Sequence, residues 1–129
     1  MNDLEIRLDH CPNPVPSGTW LRGTIVWPDL PPRASGELRI GWVLEFKGPR
    51  EVGIAQIHRL IPGTAGSATR FEVRLPSAPW SYSGLLSRLS WFAEVLVNED
   101  GRHHAHVRFD MSPAGHPILL GDGGSETPP

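Results

Sequence analysis

Short runs in which apolar and polar residues alternate, separated by proline- and glycine-rich turns, confine this sequence to sheet structure. Leu4, Ile6 and Leu8 alternate with Glu5, Arg7 and Asp9, and Leu21, Gly23, Ile25 and Trp27 share one face of the run 19–27. Leu38, Ile40, Trp42, Leu44 and Phe46 form an unbroken apolar face between Glu37 and Lys47. Phe71, Val73 and Leu75 alternate with Arg70, Glu72 and Arg74, and Leu89, Trp91, Ala93, Val95 and Val97 line a further run. Successive side chains of a strand point to opposite faces, so each pattern describes a strand with one face buried. Asn98-Glu99-Asp100-Gly101 is a hairpin signal leading into a last strand, His103 to Met111, which should lie antiparallel beside its predecessor. The run 51–60, with Val52, Ile54, Ile57 and Leu60, breaks the alternation, as a bulge or an edge position would make it do. No stretch repeats with the 3.6-residue period of a helix. The seven runs predict an all-β fold: a seven-stranded, immunoglobulin-like antiparallel β-sandwich.

Composition supports that architecture and removes several functions. The 14 glycines and 14 prolines follow no fixed period, so they mark turns and not a collagen-like chain. A chain of 129 residues has room for one core, expected over residues 1–112, with a flexible Gly/Pro-rich tail over 113–129. The 12 Lys and Arg are mixed with 14 Asp and Glu, giving a net charge of −2 and no field to attract a polyanion, so nucleic acid is not an expected partner. Met1-Asn2-Asp3-Leu4-Glu5 lacks the basic and apolar segments of a signal peptide, and no run is long and apolar enough for a transmembrane helix. A cytoplasmic location is therefore expected. Cys11 is the one cysteine, which rules out an internal disulfide and suits a reducing compartment.

Three segments, in order, resemble the N-terminal half of arrestin-fold proteins, a group that includes arrestins, the arrestin-like retromer subunit and bacterial sporulation-control proteins. The first is Pro16-Ser17-Gly18-Thr19-Trp20-Leu21-Arg22-Gly23-Thr24-Ile25, similar to the family's proline-glycine turn and glycine-bearing strand. The second is the amphipathic strand from Leu38 to Phe46. The third is Phe71-Glu72-Val73-Arg74-Leu75-Pro76, then Pro79-Trp80-Ser81-Tyr82-Ser83-Gly84, then the strand around Trp91. The resemblance spans residues 3–111 and implies an arrestin-like sandwich. It does not extend to a second sandwich, for which the chain has no room, nor to a lysine pair on the first strand. Physically, Gly23 in mid-strand anticipates close approach of an aromatic ring or a neighbouring chain. Tyr82 is expected to bury its ring at the end of the sandwich and bond its hydroxyl to the backbone.

No nucleophile elbow, zinc-protease helix or phosphate-binding loop occurs, so catalysis has no anchor, and neither enzyme activity nor a cofactor is expected. If the third, sixth and seventh runs are neighbours, Arg39, Val43, Glu45, Phe92, Glu94, Leu96, His104, His106 and Arg108 face away from the core. Apolar residues rimmed by charge suit a contact patch, which marks Val43, Phe92, Leu96, His104, His106 and Arg108 as candidate partner-binding residues. The expected function is non-enzymatic: an adaptor or scaffold that binds a protein, a second copy of itself included, through this face or an exposed strand edge. The competing reading is a metal-binding sandwich that uses His104 and His106, two imidazoles on one strand face that lack an obvious third ligand.

Overall fold

A computed structural model of the chain describes residues 3–9, 14–31, 33–84, 86–97 and 103–113. The alternating runs form β1 (Glu5–Leu8), β3 (Trp20–Val26), β4 (Gly36–Phe46), β5 (Arg50–Leu60), β6 (Ala68–Arg74), β8 (Ser87–Val97) and β9 (His104–Phe109). Three two-residue strands join them: β2 (Val15–Pro16), β7 (Tyr82–Ser83) and β10 (Met111–Ser112). The seven expected strands are thus all present, and the additions are too short to show a period. The hairpin signal at 98–101, the turn containing Cys11 and tail residues 114–129 lie outside the described residues. Among the described residues no helix is long and apolar enough to cross a membrane.

The strands form two main sheets and a small clasp. One sheet has the order β1-β3-β6 and the other β5-β4-β8, with β7 and β9 both paired to the far side of β8. All of these pairs are antiparallel. The clasp is a parallel pair, β2 with β10. It is tied to the segment before β7, where Ser81 N–H donates to the Met111 carbonyl (2.7 Å) and its Oγ accepts from Met111 N–H (2.9 Å).

The inner faces of the two sheets meet in one core. Leu21, Ile25 and Trp27 from the first sheet and its exit pack with Leu38, Ile40, Trp91, Val95 and Val97 from the second. The two buried indoles would leave costly unpaired N–H groups, and each finds an acceptor. Trp27 Nε1 donates to Thr69 Oγ1 (2.7 Å) and Trp91 Nε1 to the Pro79 carbonyl (2.8 Å). Tyr82 departs from expectation: its hydroxyl lies 3.1 Å from Ser87 Oγ, not against a backbone group, because the hairpin of β7 and β8 brings that side chain opposite the ring's tip.

Glycine and aromatic residues sit directly opposite one another at three rungs. Gly23 pairs with Phe71, Gly41 with Phe92, and Gly53 with Trp42. At each glycine a Cβ would collide with its neighbour's ring: Phe71 Cζ at 2.5 Å from the position at 23, Phe92 Cζ at 2.8 Å from that at 41, and the Trp42 indole over 53. The rings occupy the volume that side chains would otherwise take, as Gly23 anticipated from sequence.

On the solvent side of the smaller sheet, Arg70 reaches across β3 to donate to both Asp9 carboxylate oxygens (2.8 and 2.6 Å) and to Thr24 Oγ1 (3.0 Å). Hydrogen bonding from Arg70 holds the Asp9 carboxyl below its usual range. A carboxyl with a lowered pKa in the folded state contributes stability above its unfolded pKa and loses it as pH falls through the folded one. Acid should therefore weaken the native protein more than Asp9→Asn below about pH 4, an effect kept small by exposure and measurable as urea midpoints across the acid range. At Gly41 an added methyl would strike both the Gly53 carbonyl and the Phe92 ring. Gly41→Ala should cost about 1–3 kcal/mol in denaturant unfolding, with no change in the slope of the transition.

Candidate functional site

The outer face of the larger sheet is laid out in rungs that run from β5 through β4 and β8 to β9. Arg39, Glu94 and His106 share one rung, Gly41, Phe92 and Arg108 the next, and Glu37, Leu96 and His104 a third. All nine residues expected to face away from the core therefore do so, because the hydrogen-bonded register keeps odd positions of β4 beside even positions of β8 and β9.

A shallow groove of about 250 Å³ crosses this face. Its floor includes Val43 and Phe92, and Arg50, Glu94, His106 and Arg108 are among the side chains around it. Phe92 and Val43 are only 6% and 5% exposed, which corrects their assignment as surface contacts. The reason is Gly41: with no side chain there, the Phe92 ring lies down on β4 instead of standing out into water. Leu96 is half-buried at the end of the face.

Most charges around the groove are already spoken for. Glu94 Oε2 lies 2.7 Å from His104 Nε2, and the His104 and His106 rings stack with centroids 5.6 Å apart at 22°. Arg108 donates to Glu45 Oε1 at 3.1 Å, and Arg39 pairs with Glu37 at 2.9 Å. Among the described residues no three His, Cys, Asp or Glu side chains are arranged to hold a metal ion.

The residues that sequence reading passed over are on β5. Its pairing with β4 slips between Ile40 and Gly41, where Ile40 faces Gln56 and Gly41 faces Ile54, leaving Ala55 as the extra residue of a bulge. The bulge changes the phase of the alternation. Ile54 and Ile57, three apart, would otherwise point to opposite sides; here they join Arg50, Val52 and Arg59 on the outer face. Val52, Ile54 and Ile57 are 53%, 43% and 57% exposed. The inner face of β5 carries Glu51, Gly53, Gln56 and His58; Gln56 Nε2 donates to the Arg74 carbonyl of β6 (2.6 Å) and its Oε1 accepts from His58 Nε2 (2.8 Å). β5 is also the end strand of its sheet, so its outer edge pairs with no other strand among the described residues. The signal was present in the sequence as the irregular run 51–60, but only the register tells which side of it faces water.

No protein-family model matches the chain, and no curated protein matches it either. Among solved structures it is similar to Spo0M, the sporulation control protein of Bacillus subtilis, at 12% identity and a TM-score of 0.54, over 87% of this chain and 50% of that one. The chain thus spans about half the length of Spo0M. The likeness bears out the arrestin-like β-sandwich and carries the fold alone. Two structures of superoxide reductase (neelaredoxin) from Ignicoccus hospitalis overlap more loosely, with TM-scores of 0.41 and 0.40. Their identities are 13% and 15%, over 92% and 86% of this chain and 82% and 81% of theirs, and these overlaps carry no argument.

The different burial of Phe92 and Ile57 separates scaffold from surface. Phe92→Ala should cost about 3–5 kcal/mol, because it empties the space over Gly41, whereas Ile57→Lys should change stability by no more than about 0.5 kcal/mol. Parallel denaturant titrations of the two variants measure both.

Proposed function

We propose that the chain is a non-enzymatic protein-binding module, an adaptor or scaffold, whose contact surface is the β5 edge and the adjoining outer face of the larger sheet. The observation that carries this reading is the stripe Val52, Ile54 and Ile57: three half-exposed branched residues in a row on an eleven-residue end strand. Natural sheets blunt such edges with proline, inward-pointing charge or a covering element, since open N–H and C=O groups beside apolar side chains invite another strand. β5 has no proline, its inward-facing carboxylate, Glu51, lies at the very start of the strand, and its bulge gathers apolar residues on one face instead of dispersing them. The groove beside it, floored by Val43 and Phe92 and flanked by Arg108 and the His104–His106 pair, adds polar specificity at the centre of the sheet. Leu96 shares a rung with His104 at the end of the face. The absence of a catalytic motif in the sequence favours binding over turnover.

The stacked imidazoles keep a metal-binding sandwich as the second reading, with His104 and His106 as ligands. It requires a third donor from outside the described residues or from a partner. Stoichiometric zinc or copper in protein purified without a histidine tag, lost in His104→Ala/His106→Ala, would establish it.

The test of the leading reading is affinity purification of the tagged chain from its own source beside Ile54→Asp/Ile57→Asp, with both proteins shown to be folded by circular dichroism. A stoichiometric protein that accompanies the native chain and is missing from the variant is the expected result. Retention of the same protein by the variant would remove β5 from the contact, and recovery of the native chain alone, with bound metal, would replace the adaptor with the metal reading.

A further inference from the structure

We infer that the β5 edge takes an extended segment of another protein that carries alternating apolar residues on one face and an acidic residue toward each end. This rests on the protein-binding reading above and specifies the chemistry of its partner. The outer face of β5 reads Arg50, Val52, Ile54, Ile57, Arg59: an apolar centre with a guanidinium at either end. The acidic residues nearest these arginines in the register are already engaged, Glu45 opposite Arg50 by Arg108 and Glu37 opposite Arg59 by Arg39. Among the described residues neither the Arg50 nor the Arg59 guanidinium has a hydrogen-bond or ion-pair partner. A strand added to β5 would satisfy the open backbone groups of the edge, set its own apolar side chains against Val52, Ile54 and Ile57, and bring its ends beside two unpaired cations. Carboxylates at those ends complete the match.

The same charges disfavour a second copy of the chain. Antiparallel pairing of two β5 strands must keep outer face with outer face. The register that opposes Val52 with Ile57 also opposes Arg50 with Arg59, placing like charges together at both ends. The register that opposes Ile54 with Ile57 sets the Arg59 guanidinium against Val52. Neither arrangement supplies the arginines with an anion.

The experiment uses the full chain and a blocked, fluorescein-labelled peptide, Glu-Thr-Val-Thr-Val-Thr-Val-Thr-Glu, beside a twin in which lysine replaces both glutamates. Its composition is the same read in either direction, so parallel and antiparallel addition are both sampled. Anisotropy titrations at low ionic strength should show the acidic peptide binding on the order of tenfold tighter than the lysine peptide, a preference that shrinks with added salt. Arg50→Glu/Arg59→Glu should reverse the order of the two peptides, and Ile57→Lys should weaken both while leaving the far-ultraviolet spectrum and unfolding midpoint unchanged. Equal binding of the two peptides, or an order unaffected by the charge reversal, would overturn the proposed chemistry. So would a concentration-dependent dimer in sedimentation that Ile57→Lys dissolves, since the occupant would then be another copy. If neither peptide binds while a natural protein still depends on Ile54 and Ile57 for co-purification, the acidic-strand inference fails and the protein-binding reading stands.

Discussion

Aromatic rings lying on glycines in the neighbouring strand hold this sandwich in register. Phe71 on Gly23, Phe92 on Gly41 and Trp42 on Gly53 are each directly opposite pairs, so the ring and the missing side chain belong to the same rung. A glycine in mid-strand is otherwise a weakness, both for its backbone entropy and for the gap it leaves. Filling that gap from across the ladder turns the weakness into a constraint. A slip of one residue would move every side chain to the other face and drive each ring against a neighbour that has a Cβ.

Two of these pairs also make the candidate surface. Phe92 closes the outer face at the centre of the sheet, which is why the groove has a flat apolar floor and not a protruding ring. Trp42 lies against Gly53 on the inner side of β5, one rung from the place where Ala55 is looped out. The bulge then carries Ile57 to the same side as Val52 and Ile54. The β5 stripe is therefore a product of register: the same three residues in a regular strand would be divided between core and solvent.

The sequence revealed whatever period two can reveal. The alternation at Leu38–Phe46 and Leu89–Val97 placed the central strands and their inward residues, and the order of glycine, proline and aromatic residues from Pro16 to Trp91 pointed to the arrestin-like arrangement. Orientation on the outer face followed from the same parity, so Glu94, His104, His106 and Arg108 were found where expected. What parity lacks is depth. Phe92 is covered because of Gly41, some fifty positions earlier, and no local pattern carries that information. Val15–Pro16, Tyr82–Ser83 and Met111–Ser112 are too short for any period, and Tyr82 met the Ser87 hydroxyl because the β7–β8 turn offers a side chain before a backbone group. At β5 the irregularity was visible, but a bulge and an edge leave the same trace in a sequence, and here both occur.

The seat of Trp42 has an optical consequence. Trp27 and Trp91 are sealed from solvent, and Trp20 and Trp80 sit half in water. Trp42 alone has its indole against the backbone of β5, on the far side of that strand from Val52 and Ile54. Replacing Trp20 and Trp80 with phenylalanine would leave the emission to the two core indoles, whose environment is fixed, and to one ring a single backbone thickness from the open edge. The chain thus carries its own fluorophore at the place where a strand would dock, and its colour and quenching would follow that event without any label.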